Sequence, residues 1–276
     1  MPDDDFELHR ARRSLFGAAV ESYAEGRPGY PDRVFEVLVD RCALGPGSRV
    51  LEVGAGTGQA TSRLLDLGAK VTVVELGEPL VTHLAARFAG APLTFITGAF
   101  EETTLPPHEF DIVAAATSFH WVPTEDGIRQ AARALRVGGW LALWWNVFGD
   151  PDRPDPFHDA LVPVLQQVAP TLVDAPSAGN AGVGAPLYAI DSEARSAEIE
   201  RSGYFGPVDH EVVAWTGRHS PAELRALFAS FSPWLALPAG QRADALDALE
   251  ELARGEFGGV VERPYLTPIY VAPRLP

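Results

Sequence analysis

The chain has 276 residues, of which 46% are hydrophobic and 21% are charged, so it contains enough apolar residues to bury a large core. Its 37 Asp and Glu residues outnumber the 22 Lys and Arg residues, and the net charge of −15 argues against a nucleic-acid partner. The single cysteine, Cys42, excludes an internal disulfide and a thiolate zinc cluster. We therefore expect a reducing, cytoplasmic compartment.

The hydropathy pattern predicts no membrane segment. The longest strongly apolar stretch, Trp140 to Phe148, has about nine residues, whereas a helix that spans a bilayer needs roughly twenty. The first residues, MPDDDFELHRARR, lack the apolar run of an export signal. The seven histidines show no spacing typical of metal ligands, so we also expect no metal site.

Residues 47–148 alternate short β-branched runs with helical patterns, which is typical of βαβ units and of a parallel sheet. The predicted strands are Arg49 to Val53, Val71 to Val74 ending on Glu75, Leu93 to Thr97, Phe110 to Ala116 and Trp140 to Trp145. Between them, the predicted helix faces comprise Ala60, Leu64 and Leu67, then Leu80, Leu84 and Phe88, and finally Ile128, Ala131, Ala132 and Leu135.

Composition divides the chain into four predicted segments: an N-terminal cap (1–46), a core (47–148), an insertion or lid (149–207) and a C-terminal part (208–276). The cap contains an amphipathic pattern formed by Phe16, Val20 and Tyr23. The insertion is rich in Gly and Pro. The elements predicted after residue 148 are a helix from His158 to Val168, a strand from Val208 to Trp215, a helix beginning at the capping box of Ser220, a helix from Ala239 to Ala253 and a strand from Val260 to Ala272.

A glycine-rich turn lies between the first predicted strand and the first predicted helix, with glycines at Gly54, Gly56 and Gly58. Glu75 ends the second strand, where a carboxylate can accept hydrogen bonds from both hydroxyls of an adenosine ribose. A dinucleotide-binding loop would have its third glycine at the position of Gln59. The spacing therefore argues against a nicotinamide-dependent oxidoreductase, which stays as an alternative.

The run from Glu52 to Gly58, together with Glu75, resembles the cofactor motif of class I S-adenosylmethionine-dependent methyltransferases. Two further runs, FDIVAAATSFHWVP and RPGYP, resemble the subgroup that includes trans-aconitate methyltransferase. The resemblance implies an α/β, Rossmann-like fold with a mostly parallel seven-stranded sheet, helices on both faces and a helical lid or insertion. It also implies S-adenosyl-L-methionine as cofactor and S-adenosyl-L-homocysteine as product.

The resemblance also assigns a set of cofactor-binding positions. Arg27 matches a position that could hold the cofactor carboxylate, although it could equally be a solvated residue of a turn. Backbone groups at Ala99 and Phe100 are expected beside the adenine, with Glu101 as an alternative partner of the adenine amine. The full set is Tyr23, Arg27, Glu52, Gly54, Ala55, Gly56, Thr57, Gly58, Glu75, Leu76, Leu80, Ala99, Phe100, Glu101, Thr117 and Ser118.

A small-molecule acceptor is expected next to the transferred methyl group, with carboxyl or hydroxyl oxygen as possible methylated atoms. The residues predicted to bind the acceptor are Tyr30, Phe119, His120, Trp121 and Trp145. Two roles stay open for His120, that of a general base and that of a hydrogen-bonding residue, and the second is preferred. Other readings left open are a non-catalytic S-adenosylmethionine sensor or scaffold, and either a monomer or a homodimer.

Overall fold

The computed structural model describes residues 26–173 and 189–276. The predicted helix around Phe16 and Tyr23 lies outside these ranges, so the cofactor contact expected of Tyr23 stays a prediction. The described strands are β1 (Arg49–Val53), β2 (Lys70–Glu75), β3 (Leu93–Thr97), β4 (Phe110–Ala116), β5 (Leu135–Trp144), β6 (Val147–Phe148), β7 (Asp209–His219) and β8 (Val261–Pro273).

The described α-helices are α1 (Asp32–Cys42), α2 (Gln59–Asp66), α3 (Glu78–Arg87), α4 (Thr124–Ala134), α5 (Pro156–Val168), α6 (Ser192–Arg201), α7 (Pro221–Ala229), α8 (Ser232–Leu235) and α9 (Ala239–Gly255). Short 3₁₀ turns follow β3, β4 and α5. The predicted capping box is present at α7, where the Ser220 side chain accepts from the Glu223 backbone N–H and the Glu223 side chain accepts from the Ser220 backbone N–H.

Five parallel strands form one side of the sheet in the order β3-β2-β1-β4-β5, with β3 at the edge. The antiparallel strand β8 follows β5 and also pairs with β7. The strands β1 and β4 are largely apolar and buried because both faces of the sheet are covered there. The chain turns to opposite sides of β1 to form β2 and β4, which opens a crevice beyond the carboxyl ends of β1 and β4. The expected α/β, Rossmann-like fold is confirmed, and ligands are expected in this crevice.

Three features of the fold differ from the predictions. The described sheet has eight strands instead of seven, because the two-residue strand β6 also pairs with β8. Leu135 was expected on a helix face but begins β5, where it pairs with Phe110 before an irregularity in the register. The sequence reading also missed α1, α6 and α8, although four apolar residues of α1 are buried, Val34, Phe35, Val37 and Leu38.

A further hydrophobic cluster lies between the sheet and the later helices. Leu161 of α5, Leu227 of α7 and Leu249 of α9 pack there against Phe148 and Tyr265 of the sheet. No helix in the described ranges is both long and apolar enough to cross a membrane. Within the segment 149–207, α5 therefore packs with α7 and α9 against the sheet.

Candidate active site

The glycine loop after β1 needs residues without side chains at two positions. Gly54 has φ +67°, and a Cβ there would lie 2.8 Å from Cβ of Ser118. Gly58 has φ +89°, and a Cβ there would lie 2.5 Å from Cε2 of Phe88. The loop thus lies close to the end of β4 on one side and to the end of α3 on the other. Its positive φ angles also favour glycine, because side chains rarely tolerate them.

Glu75 is buried at the end of β2, where backbone groups orient its carboxylate. Oε2 accepts from Gly56 N at 3.0 Å, while Oε1 accepts from Leu76 N at 2.9 Å and from Gly77 N at 3.3 Å. Burial raises the pKa of Glu75, and these three N–H groups oppose that shift. The acid at the end of the second strand and the glycine loop, predicted separately, therefore form one hydrogen-bonded unit.

Glu52 lies beneath the same loop with 1% of its surface exposed. Its Oε2 accepts from Oγ1 of Thr61 on α2 at 2.7 Å, whereas its Oε1 is buried without a hydrogen-bond partner. Burial raises the pKa of Glu52 to about 7; the Thr61 hydroxyl opposes this shift and the charge of Glu75 adds to it. An unpaired buried oxygen of this kind marks a place where a further donor can bind.

The residues expected near an adenine lie beyond the ends of β2 and β3. The backbone N–H of Gly98 donates to Glu75 O at 2.9 Å, which holds the turn containing Ala99 against the end of β2. Ala99 and Phe100 are buried, and Glu101 is half-buried. On the other side, Leu76 is half-buried and Leu80 is buried.

Thr117 follows β4 in a conformation that is rare for a β-branched residue, with φ +56°. Its Oγ1 lies 3.0 Å from the hydroxyl oxygen of Tyr30 and accepts from Asn146 N at 3.2 Å. The next residue, Ser118, donates from Oγ to Val53 O at 2.5 Å. The turn after β4 thus connects the end of β1 to the N-terminal turn that contains Tyr30.

The turn of residues 26–31, here called the cover turn, packs on the C-terminal helices. A Cβ on Gly26 would lie 2.2 Å from Leu227 N, so the turn is in close contact with α7. Nε of Arg27 donates to Oγ of Ser230 at 3.0 Å, and its guanidinium carbon lies 5.0 Å from the centre of the Phe231 ring. The side chain of Arg27 therefore joins the cover turn to the residues that follow α7.

Side-chain hydrogen bonds also join the cover turn to a residue between β5 and β6 and to the first residue of α2, directly after the glycine loop. Nδ2 of Asn146 donates to Gly29 O at 2.9 Å, and Nε2 of Gln59 donates to Arg27 O at 3.4 Å. Asn146 is held in turn by Thr267, whose Oγ1 donates to Oδ1 of Asn146 at 2.8 Å. The sequence reading missed Asn146; its signal was a polar residue within the apolar run 140–148.

The residues expected to bind an acceptor lie at different depths. His120 is exposed on the 3₁₀ turn after β4, and the ring of Trp121 is centred 4.8 Å from its imidazole. Trp145 is buried, and its Nε1 donates to Nδ1 of His120 at 3.1 Å. Phe119 has 1% of its surface exposed and packs in the core below the turn, so its side chain does not line the crevice.

The described residues contain no group of three His, Cys, Asp or Glu side chains that could hold a metal ion. Cys42 is buried, and burial raises its pKa to about 12. Around the glycine loop, the described polar groups include the carboxylates of Glu52 and Glu75, backbone N–H groups and the guanidinium of Arg87, whose Nη1 donates to Thr57 O at 2.6 Å.

Comparison with known proteins decides the family. Residues 51–143 match the family described as "Methyltransferase domain". An uncharacterized methyltransferase of Mycobacterium tuberculosis (strain ATCC 25618 / H37Rv) is 30% identical over 238 residues, which cover 86% of this chain and 84% of the relative. The chain belongs to the methyltransferase family. The sequence prediction of an S-adenosylmethionine-dependent methyltransferase is thereby confirmed at the level of the family.

Two more comparisons cover most of the chain. An uncharacterized methyltransferase of Schizosaccharomyces pombe is 24% identical over 266 residues, which cover 95% of this chain and 97% of the relative. The solved structure of Haemonchus contortus phosphoethanolamine N-methyltransferase 2 in complex with S-adenosyl-L-methionine matches 94% of this chain with a TM-score of 0.54 and 17% identity. This chain covers 57% of that enzyme, and the likeness shows the methyltransferase fold.

Proposed function

We propose that this methyltransferase transfers the methyl group of S-adenosyl-L-methionine to a small-molecule acceptor. The observation that carries the proposal is the unit formed by Glu75 and the glycine loop at the crevice between β1 and β4. When bound, the cofactor supplies a methyl group on a positively charged sulfur. The protein itself has to bind the cofactor and the acceptor, align them for the transfer and exclude water.

The residues at the crevice fit this cofactor. A carboxylate has about four lone-pair positions, and Glu75 accepts three backbone hydrogen bonds, one of them long at 3.3 Å. It therefore retains about one position that can accept from a ribose hydroxyl, and the long contact with Gly77 is the one that a second hydroxyl would replace. The positive φ angles of Gly54, Gly56 and Gly58 let the loop turn tightly between β1 and α2. The unpaired Oε1 of Glu52 lies beneath that loop.

The two ends of the cofactor then have separate partners. We assign the adenine to the side of the crevice formed by Leu76, Leu80 and residues 99–101, which flank Glu75. We assign the methionine end to the loop and to the side closed by Thr117, Ser118 and the cover turn. Arg27 could hold the cofactor carboxylate only if its guanidinium leaves Ser230 or binds both partners at once.

The acceptor site in this proposal lies beyond β4 and β5, between the cover turn and the 3₁₀ turn of residues 119–121. Tyr30, His120 and Trp121 are the side chains assigned to it, because each is at least partly exposed. Membership of the subgroup that includes trans-aconitate methyltransferase is proposed on the motif around His120. Oxygen methylation follows from that subgroup and belongs to the same proposal.

Calorimetry with S-adenosylhomocysteine tests the role of Glu75. We expect Glu75→Ala to weaken binding by about 1–3 kcal/mol, because hydrogen bonds to a charged group are lost. Glu75→Gln keeps one accepting oxygen, so its affinity for S-adenosylhomocysteine should fall less than that of Glu75→Ala. A matched control is Asp66→Ala, which removes an exposed carboxylate at the far end of α2.

Equal affinities in the wild type and Glu75→Ala would contradict the assignment of the ribose. Tighter binding of NAD than of S-adenosylhomocysteine would instead favour the nicotinamide alternative. Formation of S-adenosylhomocysteine during incubation with S-adenosylmethionine and a panel of small organic acids and phenols separates an enzyme from a sensor, because a sensor gives no product with any of them.

A further inference from the structure

The hydrogen bond between Trp145 and His120 specifies where the imidazole carries its proton. An indole N–H can only donate, so Nδ1 of His120 must be the acceptor of the 3.1 Å contact. A neutral imidazole has one N–H and one bare nitrogen. Neutral His120 in this arrangement therefore carries its proton on Nε2.

The donor of this bond is fixed by its surroundings. Trp145 has 3% of its surface exposed, and its ring packs edge-on against Tyr270 at a centroid distance of 6.1 Å. The backbone N–H of Trp145 donates to Pro268 O at 3.3 Å, and the hydroxyl of Tyr270 donates to Ala189 O at 2.8 Å. The indole cannot leave His120 without disturbing the packing between β5 and β8.

We propose that Trp145 is a positioning residue that holds His120 in the Nε2–H tautomer, so that His120 meets the acceptor as a hydrogen-bond donor and not as a base. This inference rests on the proposed methyl transfer. His120 lies two residues after Ser118, whose Oγ is bonded to the end of β1, so its imidazole is on the carboxyl side of the sheet where the crevice opens. Trp145 acts through His120 and has no contact with the acceptor of its own.

The tautomer limits what the imidazole can do. To act as a base, His120 would have to take a proton on Nδ1, and two N–H groups would then face each other across the contact with Trp145. Nε2 already carries a proton and can only donate. The acceptor that suits this site therefore has a nucleophilic atom with no proton to lose, as a carboxylate has.

For a carboxylate the transfer balances without a proton movement. One oxygen forms the new C–O bond with the methyl carbon while the C–S bond breaks, and the electron pair of the C–S bond stays on sulfur, which becomes a neutral thioether. The second oxygen accepts from Nε2–H of His120. A hydrogen bond to this second oxygen orients the acceptor while leaving the lone pair of the attacking oxygen available.

Nitrogen-15 NMR of the full-length protein tests the tautomer without any substrate. The His120 signals are assigned as those lost in His120→Gln. We expect a proton directly bonded to Nε2, a bare Nδ1 and a scalar coupling through the hydrogen bond between Nδ1 and the indole nitrogen of Trp145. A proton on Nδ1, or rapid exchange between both tautomers in the wild type, would overturn the proposal.

Variants of the two neighbouring tryptophans test the positioning role. Trp145→Phe should admit the Nδ1–H form as a detectable second tautomer, whereas Trp121→Phe, which removes the other indole beside His120, should keep the wild-type pattern. An unchanged tautomer in a folded Trp145→Phe protein would show that Trp145 does not set it. If Trp145→Phe fails to fold, the wild-type spectrum alone decides whether the Nε2–H form is present.

The two proposals fail in different ways. Loss of the proposed function would appear as absence of S-adenosylhomocysteine binding to the wild type, with the His120 tautomer unaffected. Failure of the present inference would appear in the imidazole spectrum while cofactor binding stays intact.

Discussion

Glu52 and Glu75 are buried carboxyl groups beneath one glycine loop, and their contacts give them different roles. Glu75 accepts three backbone N–H groups, which orient it toward the crevice. Glu52 accepts one hydroxyl, and its second oxygen has no partner. At the scale of single residues, the Glu75 carboxylate is therefore oriented to accept hydrogen bonds from a ligand. An ionised Glu52 instead lowers the stability of the fold until another donor binds its unpaired oxygen.

The pH dependence of folding should reveal this cost. The pKa of Glu52 is raised from 4.5 to about 7, so the folded state binds more protons than the unfolded state between these pH values. The contribution of Glu52 to the free energy of unfolding consequently falls as the pH rises from about 4.5 to about 7, and it stays constant above pH 7. Glu52→Gln removes the cost and should raise the free energy of unfolding at pH 8 by about 3 kcal/mol.

Urea denaturation at pH 5 to 8 measures this effect as a difference between variant and wild type. The difference is needed because His219, whose burial lowers its pKa to about 4, contributes stability that falls as pH drops below about 6.5. Glu78→Gln, at an exposed position of α3, serves as the control. A Glu52→Gln protein that is less stable than wild type at pH 8 would contradict the account.

At the scale of elements, the cover turn is the part of the candidate site whose position depends on contacts between residues distant in the chain. It is bound to α7 through Gly26 and Arg27, to the sheet through Asn146 and to the start of α2 through Gln59. Each contact joins residues that are far apart in the chain. The six residues of the cover turn therefore contact three separate parts of the fold. The turn is thus expected to hold one side of the cofactor site in place.

Gly26→Ala should loosen this turn. Its added methyl group would meet backbone atoms of Ala226 and Leu227 at 2.2–2.6 Å, which a helix cannot easily move away from. Overpacking of this kind costs about 1–3 kcal/mol, and we expect S-adenosylhomocysteine affinity to fall by up to that amount. Gly29→Ala is the matched control, since a Cβ there has no atom within 4 Å. Calorimetry that gives both variants wild-type affinity would show that the turn does not contribute to binding.

At the scale of the whole molecule, local pattern predicted the parallel core well. The strands β1 to β4 lie within one residue of their predicted bounds, because β-branched runs between glycine turns define them. The start of β5 was wrong because Gly138-Gly139 indicate a break, whereas the backbone pairs Leu135 with Phe110 across an irregular register. Such pairing depends on the neighbouring strand and has no local signal.

The residues of the candidate site likewise differ in whether the local sequence predicts their role. The glycine loop and Glu75 could be predicted because each lies directly after a strand, at an edge that parallel strands share. The roles of Asn146 and Ser230 could not, since their partners Gly29 and Arg27 are 117 and 203 residues away in the chain. The depth of Phe119 also depends on packing from α4, which turn chemistry does not encode.

A crystal structure of the full-length protein with S-adenosylhomocysteine tests the central claim most directly. We expect ribose hydroxyls within hydrogen-bond distance of the Glu75 carboxylate, a backbone contact between the ligand and the loop of Gly54 to Gly58, and the sulfur directed toward the turn that carries His120. A ligand bound elsewhere on the protein, or one in this crevice whose ribose does not touch Glu75, would contradict it.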